Sequence, residues 1–177
     1  MSKFDPELIN QRGLWKKKKD TKGWDKILLP VYVIMGFYVM PVIIGLDVGR
    51  FQWSNLGTHF AIWGCVLFIL GSVFFHWAML VNTHFEASVR IQKDRGHRVI
   101  TTGPYRMVRH PGYVGTILWG ISTPLIIGSV YGLIPAGIAV ILLIIRTSLE
   151  DKLLRSKLNG YDEYTEKVRY RLLPGLW

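Results

Sequence analysis

The sequence predicts an all-α, polytopic membrane protein with about four transmembrane helices, and three observations carry that prediction. Hydrophobic residues make up 50% of the chain and are gathered into blocks, with the charges between them. The block at 113–145 has no charge and is too long for one crossing. As a helix it would extend roughly 50 Å, against a hydrocarbon core of about 30 Å. Finally, the basic residues occupy alternate gaps between the blocks, the pattern that orients membrane helices.

Taken in order, residues 1–26 form a polar, basic segment with the run KKKK at 16–19 and no apolar stretch of the signal-peptide kind. The first span is ILLPVYVIMGFYVMPVIIGL (27–46), without a charge. The second, FAIWGCVLFILGSVFFHWAMLV (60–81), carries only His76 and the lone Cys65, which can form no internal disulfide. In the third block, Gly128, Gly132 and Pro135 mark a turn, so two helices joined by a very short hairpin are expected. Three segments follow: a basic N-terminal stretch (1–26), two transmembrane helices (27–82) and a region with two more (83–177).

Of the 22 Lys and Arg residues, only Arg50 lies between the first and second spans. With four spans the others share one side, which the positive-inside rule makes the cytoplasm, and both termini lie there. The net charge of +10 is explained by this topology and by contact with lipid headgroups. No nucleic-acid motif accompanies it, and nucleic acid is not an expected partner. Trp15, Trp24, Trp53 and Trp177 read as interfacial anchors.

The side opposite the basic gaps is nearly empty of polar chemistry: a loop of about a dozen residues and the hairpin tip GSVYG. The reactive groups lie on the basic side, in 82–111 and from Arg146 onward. In YRMVRHPGYVG (105–115), Pro111 suits the first position of a helix and places His110 at its N-terminus, beside backbone donors suited to an anion. Gly112 and Gly115 allow close approach by a ligand or a helix. Arg146 and Glu150 are one turn apart on one helical face, whereas Asp151 points about 100° away. An ordinary surface ion pair accounts for Arg146 and Glu150 in isolation, but at the edge of an apolar layer both charges are costly unless paired or engaged by a ligand. His84, His97 and His110 fit no compact metal spacing, and no metal is expected.

These residues resemble the isoprenylcysteine carboxyl methyltransferase family, which is related to membrane phospholipid methyltransferases. The resemblance covers roughly 80–177 and rests on GHRVITTGPYRMVRHPGYVG, a two-span hairpin, RTSLEDKLL and GYDEYTEKVRYRLLPG. It implies methyl transfer from S-adenosyl-L-methionine to a lipophilic acceptor, most simply a carboxylate, at the cytoplasmic face. The implied cofactor contacts are His97, Val99, Ile100, Tyr105, His110, Pro111, Gly112, Tyr113 and Glu150, with Gln92 as a further guess. Arg146 matches the position that meets the substrate's polar head, and Arg146 and Glu150 are the implied catalytic pair. Asp151 stands where many relatives have a second glutamate. The implied partners are membrane lipids and a lipophilic or prenylated substrate entering from the bilayer, in a prokaryotic cytoplasmic membrane. Membrane sterol and steroid reductases that bind NADPH are similar in the same C-terminal region, through R-H-P-x-Y and VRYRLLP, and give the alternative activity. A non-catalytic membrane scaffold is the third reading.

Overall fold

The computed structural model describes residues 20–177, so Trp15 and the lysines at 16–19 lie outside the described residues. The described residues are helical with no strand. Helix α1 is Asp25–Phe51, α2 is Thr58–Val81, α3 is Pro111–Ile127, α4 is Leu133–Lys157 and α5 is Tyr161–Lys167. Of these, α1, α2 and α4 are long and apolar enough to cross a membrane. The other member of the expected four, α3, is a shorter apolar helix of 17 residues. Its ends are set chemically: Pro111 opens it, and Gly128 stops it in a left-handed conformation (φ 88°). Gly132 then caps α4, so the hairpin falls at the expected glycines.

Helix α1 runs beyond the expected 27–46 at both ends and includes two π-helical stretches, Met35–Val39 and Gly45–Phe51. The first lies just before Pro41, which has no N–H to bond the carbonyl of Phe37. The second includes Asp47, and this carboxylate is fully buried. Ser54 and Ser129 donate their hydroxyls to it, the latter at 2.5 Å, and the Tyr131 N–H lies 3.4 Å away. The Ser54 hydroxyl in turn accepts the Val130 N–H at 3.0 Å. The end expected to be nearly empty of polar chemistry thus holds a buried clamp between α1 and the α3–α4 hairpin.

The tightest helix contact is between α2 and α3, and glycine makes it possible. A Cβ added at Gly115 would lie 2.6 Å from the Gly71 carbonyl oxygen and 2.7 Å from the Phe75 nitrogen, so the two backbones touch. Gly115→Val is expected to destabilise the protein by about 1–3 kcal/mol through overpacking, read as a lower Tm in detergent. The outward faces are apolar, with Phe37, Trp63, Ile69 and Leu80 all more than half exposed, as lipid-facing surfaces require. At the other end of α1, fully buried Asp25 accepts the Val89 N–H (2.7 Å) and Arg146 Nε (2.6 Å). This ties α1, the 82–110 connection and α4 together at the level where the reactive residues converge.

Candidate functional site

The end of α4 presents its two adjacent carboxylates to different surroundings, as the 100° step per residue dictates. Glu150 is half-buried and accepts the Tyr113 hydroxyl at 2.6 Å from the first turn of α3. One turn back, Arg146 lies over the Tyr113 ring, 5.4 Å from its centroid. Arg146 does not pair with Glu150. Its Nε and Nη2 bond Asp25, and Nη2 also donates to the Ala87 carbonyl. Nη1 has no partner among the described residues, nor does Glu150 Oε1. Tyr113, Arg146 and Glu150 therefore form one connected group that keeps one donor and one acceptor unspent.

Asp151 is the hub of the other side, fully buried. Arg109 donates to both its oxygens (2.8 and 3.1 Å), Arg171 Nε donates at 3.0 Å, and the Tyr161 hydroxyl donates at 2.9 Å. His110 Nε2 lies 3.5 Å from the same carboxylate, and the His110 ring is stacked on Tyr113 at 5.8 Å. Arg109 also donates to the carbonyls of Val168 and Arg169, while the N–H groups of Arg109 and His110 bond the carbonyls of Tyr170 and Arg171. The RHP segment and the tail are thus laced together over one carboxylate. Burial and the neighbouring Asp151 push the Tyr161 phenol well above its usual pKa, so it remains a donor at neutral pH.

The remaining predicted contacts are spread around this centre. Pro111 and Gly112 are buried in the first turn of α3, where a Cβ on Gly112 would lie 2.5 Å from the Phe85 ring. The amides of Tyr113 and Val114 both bond the His110 carbonyl, which leaves the Gly112 N–H as the first-turn donor without a backbone acceptor. The free-donor array expected at this helix start is therefore reduced to one. Tyr105 is buried, accepts Asn82 Nδ2 at 2.9 Å and receives the Tyr164 hydroxyl on its carbonyl at 2.7 Å. Val99 packs on the cluster of Leu154, Leu158, Tyr161 and Tyr164. Ile100 is half-buried. His97 faces His84, with ring centroids 4.7 Å apart, and its Nδ1 accepts the Gln92 N–H at 3.3 Å. Gln92 itself is spent internally, donating to the His84 carbonyl and accepting from Arg95. None of the described hydrogen bonds or ring contacts of His97 reaches Glu150.

Burial, reinforced by His84 and Arg90, lowers the His97 pKa from 6.5 to about 4. The folded state therefore binds fewer protons than the unfolded one between those values, so stability rises with pH across this window. Tm is expected to fall as pH drops from 6.5 towards 4, and His97→Gln is expected to flatten that slope, measured by thermal unfolding across the pH series.

Two features escaped the sequence reading. The sequence does not single out Asp25, and it gives Asp151 no partner, only a direction about 100° from Glu150. The available signal was an excess of arginines around the RHP segment and tail, Arg109, Arg155 and Arg171, which need a counterion where the chain enters an apolar layer.

Residues 64–156 match the model of the isoprenylcysteine carboxyl methyltransferase family. The chain is 30% identical over 130 residues to the protein-S-isoprenylcysteine O-methyltransferase of Saccharomyces cerevisiae, covering 69% of this chain and 52% of that protein. It is 30% identical over 113 residues to a probable protein-S-isoprenylcysteine O-methyltransferase of Oryza sativa subsp. japonica, covering 59% and 56%. It is 37% identical over 75 residues to that of Tribolium castaneum, covering 42% and 24%. The chain spans about half the length of the first two relatives. The matched residues include Tyr113, Arg146, Glu150 and Asp151.

Proposed function

The chain belongs to the isoprenylcysteine carboxyl methyltransferase family, and from that premise we propose that it transfers a methyl group from S-adenosyl-L-methionine to the carboxylate of a lipophilic substrate, an isoprenylcysteine first among the candidates. The site is assigned to the cytoplasmic face of the membrane on the charge asymmetry of the sequence. One observation carries the proposal: Tyr113, Arg146 and Glu150 are in contact where the first turn of α3 meets the C-terminal half of α4, inside the family match, with an acceptor and a donor still unspent.

Polar groups without partners fit the cofactor's own chemistry. Glu150 Oε1 suits its ammonium, and the Gly112 N–H suits its carboxylate. The buried His84 Nδ1, whose ring lies against His97, and the buried Ser88 Oγ have no partner among the described residues and can meet further polar atoms. S-adenosyl-L-methionine, when bound, supplies an electrophilic methyl on a sulfonium. The chain's own task is then to position the reactants and exclude water. Tyr113 holds the Glu150 carboxylate in place through its hydroxyl. Arg146, fixed by Asp25 and by the Ala87 carbonyl, leaves Nη1 to donate to an acidic head group. A carboxylate is already ionised at neutral pH, so no residue has to remove a proton from it. The apolar outer faces of the helices suit a substrate arriving from the bilayer.

The test is a methylation assay with isotope-labelled cofactor and lipophilic acceptors that differ only in the reacting group: carboxylate, amine or hydroxyl. Label in an alkali-labile ester on the carboxylate acceptor is the expected result. Label on the amine alone would overturn the carboxyl assignment.

A further inference from the structure

A cavity that neither Tyr113 nor Glu150 lines lies between the end of α4, α5 and the tail. Its volume is about 420 Å³, and Arg155, Arg169, Arg171, Tyr170, Leu176 and Trp177 form most of its wall, with Arg109 at its base. No Asp or Glu side chain among the described residues lines it. The neighbouring cavity of about 500 Å³ shares Arg155, Thr165 and Arg169 but adds Asp162 and Glu166, and that mixed lining does not favour an anion.

The arginines are not equally committed. Arg109 is used by Asp151 and two carbonyls, and Arg171 by Asp151 and the face of Trp177, 4.8 Å from the ring centroid. Arg155 donates one bond, to the Thr165 hydroxyl at 2.8 Å, and its side chain is 45% exposed, 3.7 Å from Asp151. Arg169 is exposed, and its guanidinium has no partner among the described residues. Arg169 is therefore uncommitted, and Arg155, whose ion pair with the shared Asp151 is long, is only partly spent. The wall that carries them is ordered, because the Trp177 carbonyl accepts the N–H groups of Arg171, Leu172 and Leu173 at 3.0–3.2 Å.

Depth supplies the second argument. From Leu133 to Arg155 the axial rise of α4 is about 33 Å, slightly more than the roughly 30 Å hydrocarbon core. With Leu133 at one boundary, Arg155 stands at the level of the lipid phosphates on the other. The lining matches that depth: Leu176 is 78% exposed, Tyr170 and Trp177 are amphipathic, and next to them Leu173, whose N–H bonds the Trp177 carbonyl, is 52% exposed. We propose that this pocket binds the phosphate of an anionic phospholipid through Arg155 and Arg169, with Leu173 and Leu176 set against its acyl chains. The shared chemistry is a phosphate ester, and the membrane is its source.

The experiment reconstitutes the full chain into bilayers mixing phosphatidylcholine and phosphatidylglycerol, and counts the lipids retained on release by native mass spectrometry. Wild type is expected to retain phosphatidylglycerol preferentially. Arg155→Gln with Arg169→Gln is expected to lower that preference about fivefold for each arginine removed. Arg169→Gln alone, on an exposed side chain, gives the same readout with an about fivefold effect if the double variant folds poorly. Lys152→Gln with Lys157→Gln removes equal charge from exposed positions of the same helix outside the cavity, and should leave the preference unchanged. Equal retention of both lipids by wild type, or equal loss in the lysine variant, would overturn the proposal. Inorganic phosphate that raises Tm in pure phosphatidylcholine through the same two arginines, without any lipid preference, would replace the lipid by a free phosphate and overturn the membrane assignment.

Discussion

Glu150→Ala is expected to weaken binding of S-adenosyl-L-methionine by roughly 10- to 150-fold while leaving Tm nearly unchanged. The size follows from the ~1.5–3 kcal/mol that a hydrogen bond to a charged group contributes, converted at about 1.4 kcal/mol per tenfold. The small effect on stability follows from the geometry. Glu150 is half-buried and holds a single described partner, the Tyr113 hydroxyl, so its removal strands no charge. Glu150→Gln keeps an acceptor for Tyr113 but loses the charge, and should bind the cofactor as weakly as the alanine variant. Titration calorimetry and thermal unfolding on the same preparations separate the two effects.

Asp151→Ala should do the reverse. This carboxylate is fully buried and neutralises Arg109 and Arg171, while also accepting from Tyr161. Breaking a buried pair by removing one partner costs about 3–5 kcal/mol, because the other charge stays buried without compensation. Here two guanidinium groups lose their carboxylate at once. The expected outcome is a large drop in Tm, with the tail at 168–177 released to proteolysis, since the lattice that joins it to the RHP segment passes through Arg109. Limited proteolysis of folded protein, with the cleavage site mapped, checks this directly. Two acids adjacent in sequence are thus expected to fail in opposite ways, one in binding and one in folding.

That contrast also marks what the sequence could reveal. Local chemistry was legible. Pro111 opens α3, Gly128 and Gly132 bound the hairpin, and the helical period separates Glu150 from Asp151. Long-range pairing was not. Arg146 and Asp25 are 121 residues apart, Ser129 and Asp47 are 82 apart, and Arg109 and Asp151 are 42 apart. Nothing in the periodicity of either segment specifies such a partner. The same reason explains the length of α1. A charge at Asp47 reads as the end of a span, but the hydroxyls of Ser54 and Ser129 both bond its Oδ2, leaving Oδ1 buried without a partner among the described residues, and the helix continues to Phe51. The role of Arg146 changed as well. It is less a free guanidinium awaiting an acid than a side chain anchored at Nε and Nη2, with Nη1 left to act. The donors at the start of α3 shrank for a related reason, since two amides turned inward onto the His110 carbonyl.

The most direct test of the central claim is titration calorimetry of the purified, full-length protein in detergent with S-adenosyl-L-methionine, and in parallel with NADPH. Saturable binding of S-adenosyl-L-methionine and none of NADPH is the expected result. Binding of NADPH alone would contradict it and move the same R-H-P-x-Y geometry to reductase chemistry, and binding of neither would leave the helices without the cofactor on which the proposed reaction depends.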